Sequence, residues 1–257
     1  MGRGNRRSGL RAELRRPDPK DHLAESVSRH RIELRTETMT GKIAPEPIRD
    51  PAADHLLTPQ NCAVVFIDYQ EGQYATTGSA SRAEIDLGAV TLAKLASAYA
   101  IPTVLTTVAV EMGVNKPTVE VLTRELPGVA EIDRTGVNSW EDVDFRAAIE
   151  ATGRKKIVMA GLWTEVCLAF PTLDMLREGY EIYPVIDAVG GVSEVTHRTA
   201  IERMVQAGAQ PITSLSFGCE LMRNWARADA DLYRTVINDY FRRKRDLGQA
   251  TGELFHH

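Results

Sequence analysis

Three residues of different chemistry, Asp68, Arg134 and Cys167, each follow a short apolar stretch. Cys167 stands in Lys155-Lys156-Ile157-Val158-Met159-Ala160-Gly161-Leu162-Trp163-Thr164-Glu165-Val166-Cys167-Leu168-Ala169-Phe170, which reads as a buried strand, a sharp turn and the start of a helix. A thiol in the first turns of a helix has its thiolate favoured by unpaired N–H groups and the helix dipole. Its pKa is therefore expected below the ordinary value of about 8.5. The same N–H groups could receive an oxyanion. Asp68 ends the apolar run Ala63-Val64-Val65-Phe66-Ile67, where a carboxylate must be hydrogen-bonded, ion-paired or used. Arg134 could fix the Asp68 charge or stabilise negative charge on a substrate. Singly, each has a plain reading: a small buried hydrophobe, a turn cap and a surface salt bridge. Together they are a nucleophile, a base and a cation, the parts of covalent acyl-transfer chemistry.

Such residues meet only if the elements before them lie side by side. Ala63–Ile67 has the length and β-branching of a strand buried on both faces. Ser81 to Ala100 follows with helical spacing, and Ser81 with Glu84 forms a capping box. Ile101–Leu105 and Val129–Ile132 read as strands two and three, with a short helix from Thr118 to Glu125 between them. Asp142 or Asp144 caps a helix ending near Gly153. Ile157–Ala160 is strand four, and a helix from Thr164 to Glu178 stops at Gly179. Glu181–Ile186 is strand five, Ser193–Ala207 a helix, Gln210–Ser214 a sixth strand, and Leu221–Arg245 C-terminal helices. The β-α alternation predicts an α/β fold, a parallel sheet with helices on both faces. Ligands of such folds sit beyond the carboxyl ends of the strands. That rule selects Asp68, Thr107, Arg134 and Cys167.

Composition narrows the function classes. The 257 residues are 43% hydrophobic and 26% charged, suited to one soluble α/β domain. A net charge of -4 makes no case for a nucleic-acid or membrane partner. The charge is uneven: residues 1–40 hold ten Arg or Lys against six Asp or Glu. Residues 1–58, rich in arginine and proline, are read as a flexible or surface-wrapping extension, and 59–257 as the folded domain. Met39 is an alternative start of translation. Cys62, Cys167 and Cys219 form neither a disulfide framework nor a zinc pattern, which fits a reducing cytoplasm. Cys62 and Cys219 are read as structural. No catalytic metal is expected: His197 is read as solvated on a helix, His22, His30 and His55 fall in the extension, and His256 and His257 at the tail. Neither a dinucleotide fingerprint nor a phosphate loop is present, so no cofactor is expected.

The motifs carry a resemblance. Val65-Phe66-Ile67-Asp68-Tyr69-Gln70 and Gly161-Leu162-Trp163-Thr164-Glu165-Val166-Cys167 resemble the acid motif and nucleophile turn of isochorismatase-like cysteine hydrolases. Asn138-Ser139-Trp140, Gln206-Ala207-Gly208-Ala209-Gln210 and the Thr164–Pro171 stretch are similar to the YcaC-like subgroup. The likeness runs from about Asn61 to Trp225. It implies a Rossmann-like three-layer α-β-α sandwich with a six-stranded parallel sheet in the order 3-2-1-4-5-6, and a homo-oligomer. It also implies an Asp-Lys-Cys triad at Asp68, position 134 and Cys167, with arginine here in place of lysine; arginine forks to a carboxylate but serves only as a charge. The resemblance further implies a cis Leu162-Trp163 peptide, an oxyanion hole from the N–H groups of Trp163 and Cys167, and pocket positions Gln70, Asn138, Trp140 and Phe170. Related nicotinamidases hold a metal through an Asp-x-His segment. Here Thr106-Thr107-Val108-Ala109-Val110-Glu111 has no histidine. True isochorismatases lack the cysteine.

The reading is a cysteine hydrolase acting on a small amide-, imide- or ester-like substrate, with no metal. The alternatives are a redox or electrophile-sensing binder using a low-pKa Cys167, and an assembly or regulatory protein using the basic arm.

Overall fold

The first strand, β1 (Cys62–Ile67), is buried at every position, as its unbroken apolar run requires. The computed structural model describes residues 49–248. In it β1 lies between β2 (Thr103–Val108) and β4 (Lys156–Gly161), with β3 (Glu131–Arg134) and β5 (Glu181–Pro184) at the edges. All four pairings are parallel, in the order β3-β2-β1-β4-β5. Buried Val64, Val65 and Phe66 pair with equally buried Val158, Met159 and Ala160 on β4. Each such aliphatic or aromatic side chain contributes about 1.5–3 kcal/mol.

The helices are α1 (Glu71–Thr76), α2 (Arg82–Ala98), the single turn α3 (Glu120–Thr123), α4 (Val143–Ala151), α5 (Ala169–Arg177), α6 (Glu194–Gln206), α7 (Ser214–Met222) and α8 (Ala230–Asp246). They pack in two groups: α2 with α7 and α8, and α5 with α6 and the Ser139–Glu141 turn. The capping box of Ser81 and Glu84 starts α2, and Asp142 caps α4 by accepting from Phe145 N. Gly153 (φ 66) and Gly179 (φ 81) end α4 and α5 in left-handed backbone that a Cβ would disfavour.

The sheet has five strands, not the expected six. Gln210–Ser214 lies along β5 but forms a single bridge, Val185 with Ile212. Pro211 has no N–H for a ladder. Thr213 then leaves the strand direction altogether, because its hydroxyl accepts from Ser216 N and its N–H donates to Ser216 Oγ, a capping box that opens α7. Strand three also sits two residues later than expected, so that it ends on Arg134 itself.

Asp54 to Thr58 pack onto this unit. Leu57 N donates to Glu220 at 2.7 Å, Asp54 pairs with Arg223 at 3.2 Å, and the buried Lys156 ammonium donates to the carbonyls of Asp54 and His55 at 2.8 and 2.7 Å. Residues 1–48, which hold most of the sequence-read extension, lie outside the described residues. Among the described residues, no helix is long and apolar enough to cross a membrane.

Candidate active site

Asp68 follows β1 in left-handed backbone, φ 58, a region that aspartate tolerates better than most residues. Its N–H donates to Thr106 O on β2. Arg134 closes β3, in register with Val108 of β2. One strand therefore separates the two residues, a span of about 9–10 Å between backbones, which only a long side chain can bridge. Arg134 Nη2 reaches Asp68 Oδ2 at 2.6 Å, and both side chains are fully buried. The pair is not a two-pronged fork. Arg134 Nη1 turns instead to the Gly136 carbonyl. Asp68 Oδ1 is thereby left buried with no well-directed hydrogen bond among the described residues.

Cys167 comes to Asp68 from the other side, beyond β4. Gly161 makes the approach possible, since a Cβ there would stand 3.0 Å from Ile67 Cβ and 3.2 Å from its carbonyl oxygen. The Leu162-Trp163 peptide is cis. Residues Thr164–Leu168 then form one wide turn, closed by Leu168 N donating to Trp163 O, five residues back, at 3.3 Å. The Cys167 thiol and the Asp68 carboxylate are close enough to shift one another's titration, and the Trp163 backbone also bears on the thiol.

The electrostatics differ from the sequence expectation. Cys167 is 6% exposed. Burial first, then the Asp68 charge, pushes its thiol well above the ordinary range, and the Trp163 N–H and Arg134 only partly offset this. A helix N-terminus favours a thiolate, but here desolvation and a facing carboxylate outweigh it. Burial likewise raises the Asp68 carboxyl, with Arg134 and the thiol pulling it back.

The four residues expected to line a pocket have defined surroundings. The Gln70 amide is taken up by main chain: Nε2 donates to Val108 O and Lys116 O, and Oε1 accepts from Val108 N. It holds the 108–118 loop against the end of β1. Asn138 accepts from Trp140 N and donates to Asp174 on α5 at 2.8 Å. Trp140 is buried against Phe145 and Tyr180, and its indole donates to Glu178. Phe170, in the first turn of α5, is half-buried against the core.

Other contacts were not anticipated from sequence. Asp133 accepts from Thr107 Oγ1, Val110 N and Glu111 N, so the residue beside Arg134 organises the loop over the site. The Trp163 indole donates to Gln73 O and Thr76 Oγ1 of α1. His197 is half-buried rather than solvated, and its Nδ1 lies 2.9 Å from Thr164 Oγ1. The legible signal was Gly191, where a Cβ would crowd both Glu165 and His197. Among the described residues, no three His, Cys, Asp or Glu side chains are grouped to hold a metal ion.

Residues 62–216 match the family model described as the isochorismatase domain. The probable hydrolase YcaC of Escherichia coli is 36% identical over 192 residues, 74% of this chain and 91% of that protein. The solved structure of YcaC from Pseudomonas aeruginosa, described with hexane-2,5-diol and covalent acrylamide, is 36% identical and superposes with a TM-score of 0.68, covering 76% of this chain and 98% of that one. The Escherichia coli YcaC structure, described as an octameric hydrolase of unknown specificity, is 35% identical with a TM-score of 0.67, covering 79% of this chain and 98% of that one.

Proposed function

The chain belongs to the isochorismatase family, and from that premise we propose that it is a hydrolase in which Cys167 attacks the carbonyl of a small amide-, imide- or ester-like substrate. The observation that carries the reading is the buried meeting of Cys167, Asp68 and Arg134 at the carboxyl edge of the sheet. At rest the site holds a carboxylate, a guanidinium cation and a neutral thiol, with no net charge. Losing the thiol proton to solvent would leave a buried negative charge, which is why the thiol titrates high. Passing that proton to Asp68 keeps the site neutral, since carboxyl, thiolate and guanidinium again sum to zero. Activation is then coupled to attack rather than to a free thiolate.

In this reading the sulfur bonds to the substrate carbonyl carbon and its oxygen becomes an oxyanion, held by the Trp163 N–H and the N–H of Cys167. Asp68 returns the proton to the departing amine or alcohol, leaving a thioester. Asp68 then takes a proton from water, hydroxide adds to the thioester, and the acid leaves as the thiol is restored. Arg134 keeps the Asp68 oxygen oriented and its charge balanced. The substrate pocket would be bounded by the 108–118 loop that Gln70 holds, the Asn138-Trp140 turn and Phe170. A homo-oligomer, as described for the Escherichia coli relative, would be seen by native mass spectrometry.

The alternative, a redox sensor without turnover, calls for an exposed thiol of low pKa. The burial and raised pKa of Cys167 weigh against it.

The test is modification by acrylamide, followed by intact-mass and peptide mapping, beside a hydrolysis screen of small amides and esters. Cys167 is expected to be labelled ahead of Cys62 and Cys219, and Cys167→Ala to abolish both labelling and turnover. Equal labelling of all three cysteines would sink the nucleophile.

A further inference from the structure

We propose that His197, at the start of α6, is a positioning residue that holds the nucleophile turn in its working orientation through Thr164; the inference rests on Cys167 being the nucleophile. Thr164–Leu168 lacks the usual means of fixing its own start. Trp163, at the N-cap position, supplies no side-chain hydrogen bond, and the turn is wider than an α-helical one. Its orientation is set from outside, by the segment that follows the Ile186–Ala188 turn.

Three contacts do this. Thr164 N donates to Gly190 O at 3.0 Å. Thr164 Oγ1 shares a hydrogen bond with His197 Nδ1 at 2.9 Å, and Thr164 itself is fully buried. Glu165 Oε1 accepts from Val192 N at 2.9 Å. Gly191 lets them coexist: a Cβ there would stand 2.4 Å from Glu165 Oε2 and 3.0 Å from His197 Cβ. The histidine is itself anchored, because the Ser193–Thr196 capping box sets the first turn of α6 immediately before it. The chain therefore runs from a capped helix through an imidazole to a buried hydroxyl three residues ahead of the thiol. Of these contacts, the hydroxyl–imidazole bond is the one made by two side chains, so it can be removed without touching the backbone.

His197 also lines a cavity of about 310 Å³, shared with Ser79, Asp187 and Tyr240. Truncating the ring extends space that already exists, so His197→Ala is expected to fold. Displacement of a nucleophile by as little as about 1 Å can cost up to about a hundredfold in rate.

The experiment measures the rate of acrylamide modification of Cys167 in the full chain and in His197→Ala, His197→Asn, His197→Gln, Thr164→Val and the Ala/Val double variant, with thermal melting of each. The two single removals are expected to slow modification about tenfold each, and the double variant to be no slower than either, because they break one bond. Asparagine, whose amide occupies the place of Nδ1, restores most of the rate; glutamine, whose amide occupies the place of Nε2, does not. An unchanged rate in His197→Ala overturns the proposal while leaving the nucleophile intact. So does a loss that asparagine fails to restore, or one that adds independently to that of Thr164→Val, since either outcome describes a packing role. If Cys167 of the unaltered chain is no more reactive than Cys62 or Cys219, the nucleophile itself fails and this role falls with it.

Discussion

One proton shared between Asp68 and Cys167 governs what happens at the residue scale. Both groups titrate high, chiefly because both are buried, and they respond oppositely to substitution. Asp68→Asn removes the charge that repels the thiolate, so the thiol pKa should fall although the base is lost. Thiolate absorbance should then develop at lower pH than in the unaltered chain, while turnover drops by about a hundredfold or more. A thiol titrating higher in the variant would contradict the charge balance. Arg134→Met leaves a buried carboxylate without its cation, a loss of about 3–5 kcal/mol. The sign with pH follows from linkage. An acid raised in the folded state holds its proton longer there than in the unfolded chain, so stability is greatest below the unfolded value and falls as pH rises through the folded one. Removing Arg134 raises Asp68 further. The gap in denaturant midpoint between Arg134→Met and the unaltered chain should therefore widen as pH climbs through the folded Asp68 pKa of the unaltered chain, which lies above the ordinary 3.8. A gap independent of pH would mean that Arg134 acts through packing alone.

At the scale of elements, a strand was legible where burial on both faces enforced a continuous apolar run, as in Ala63–Ile67 and Ile157–Ala160. The helix starts were legible where a capping box stood in the sequence, as at Ser81. Gln210–Ser214 failed this logic: its apolar content is real, but Pro211 and the Thr213–Ser216 cap turn it into the entry to a helix after a single bridge. Asp68, Arg134 and Cys167 could be placed on one edge because strand ends are countable. Which side chains would tie the connecting loops could not, since Gln70 meets Val108 and Lys116 only after the chain has folded. The thiol's acidity was misjudged for the same reason, as helix position is visible in sequence and desolvation is not. Gln70→Leu should leave Val108 N and the Lys116 carbonyl without their partner, each costing about 1–3 kcal/mol if it stays dry. Protease cleavage within the 108–118 loop should rise before global unfolding; cleavage no faster than in the unaltered chain would show that Asp133 secures the loop without help.

For the molecule as a whole, the described surface leaves Met112, Val114, Val137 and Val143 well exposed. All four lie in segments that follow β2 or β3, the same edge as Asp68 and Arg134. Residues 1–58 read in sequence as a flexible or surface-wrapping extension, and within its described part Asp54 to Thr58 lie hydrogen-bonded along the folded unit. The belt from Asp54 to Thr58 has a consequence for where this protein can be shortened. Lys156 opens β4, the strand that leads to the thiol, and its ammonium is satisfied by the carbonyls of Asp54 and His55. A chain begun at Pro59 would strip those acceptors from a buried cation and cost about 3 kcal/mol or more, whereas one begun at Arg49 would keep them. Thermal melting of the two truncations should separate them clearly, with Lys156→Met rescuing the shorter one. We expect the folding unit to reach back at least to Asp54, because Lys156 needs the two carbonyl oxygens found there.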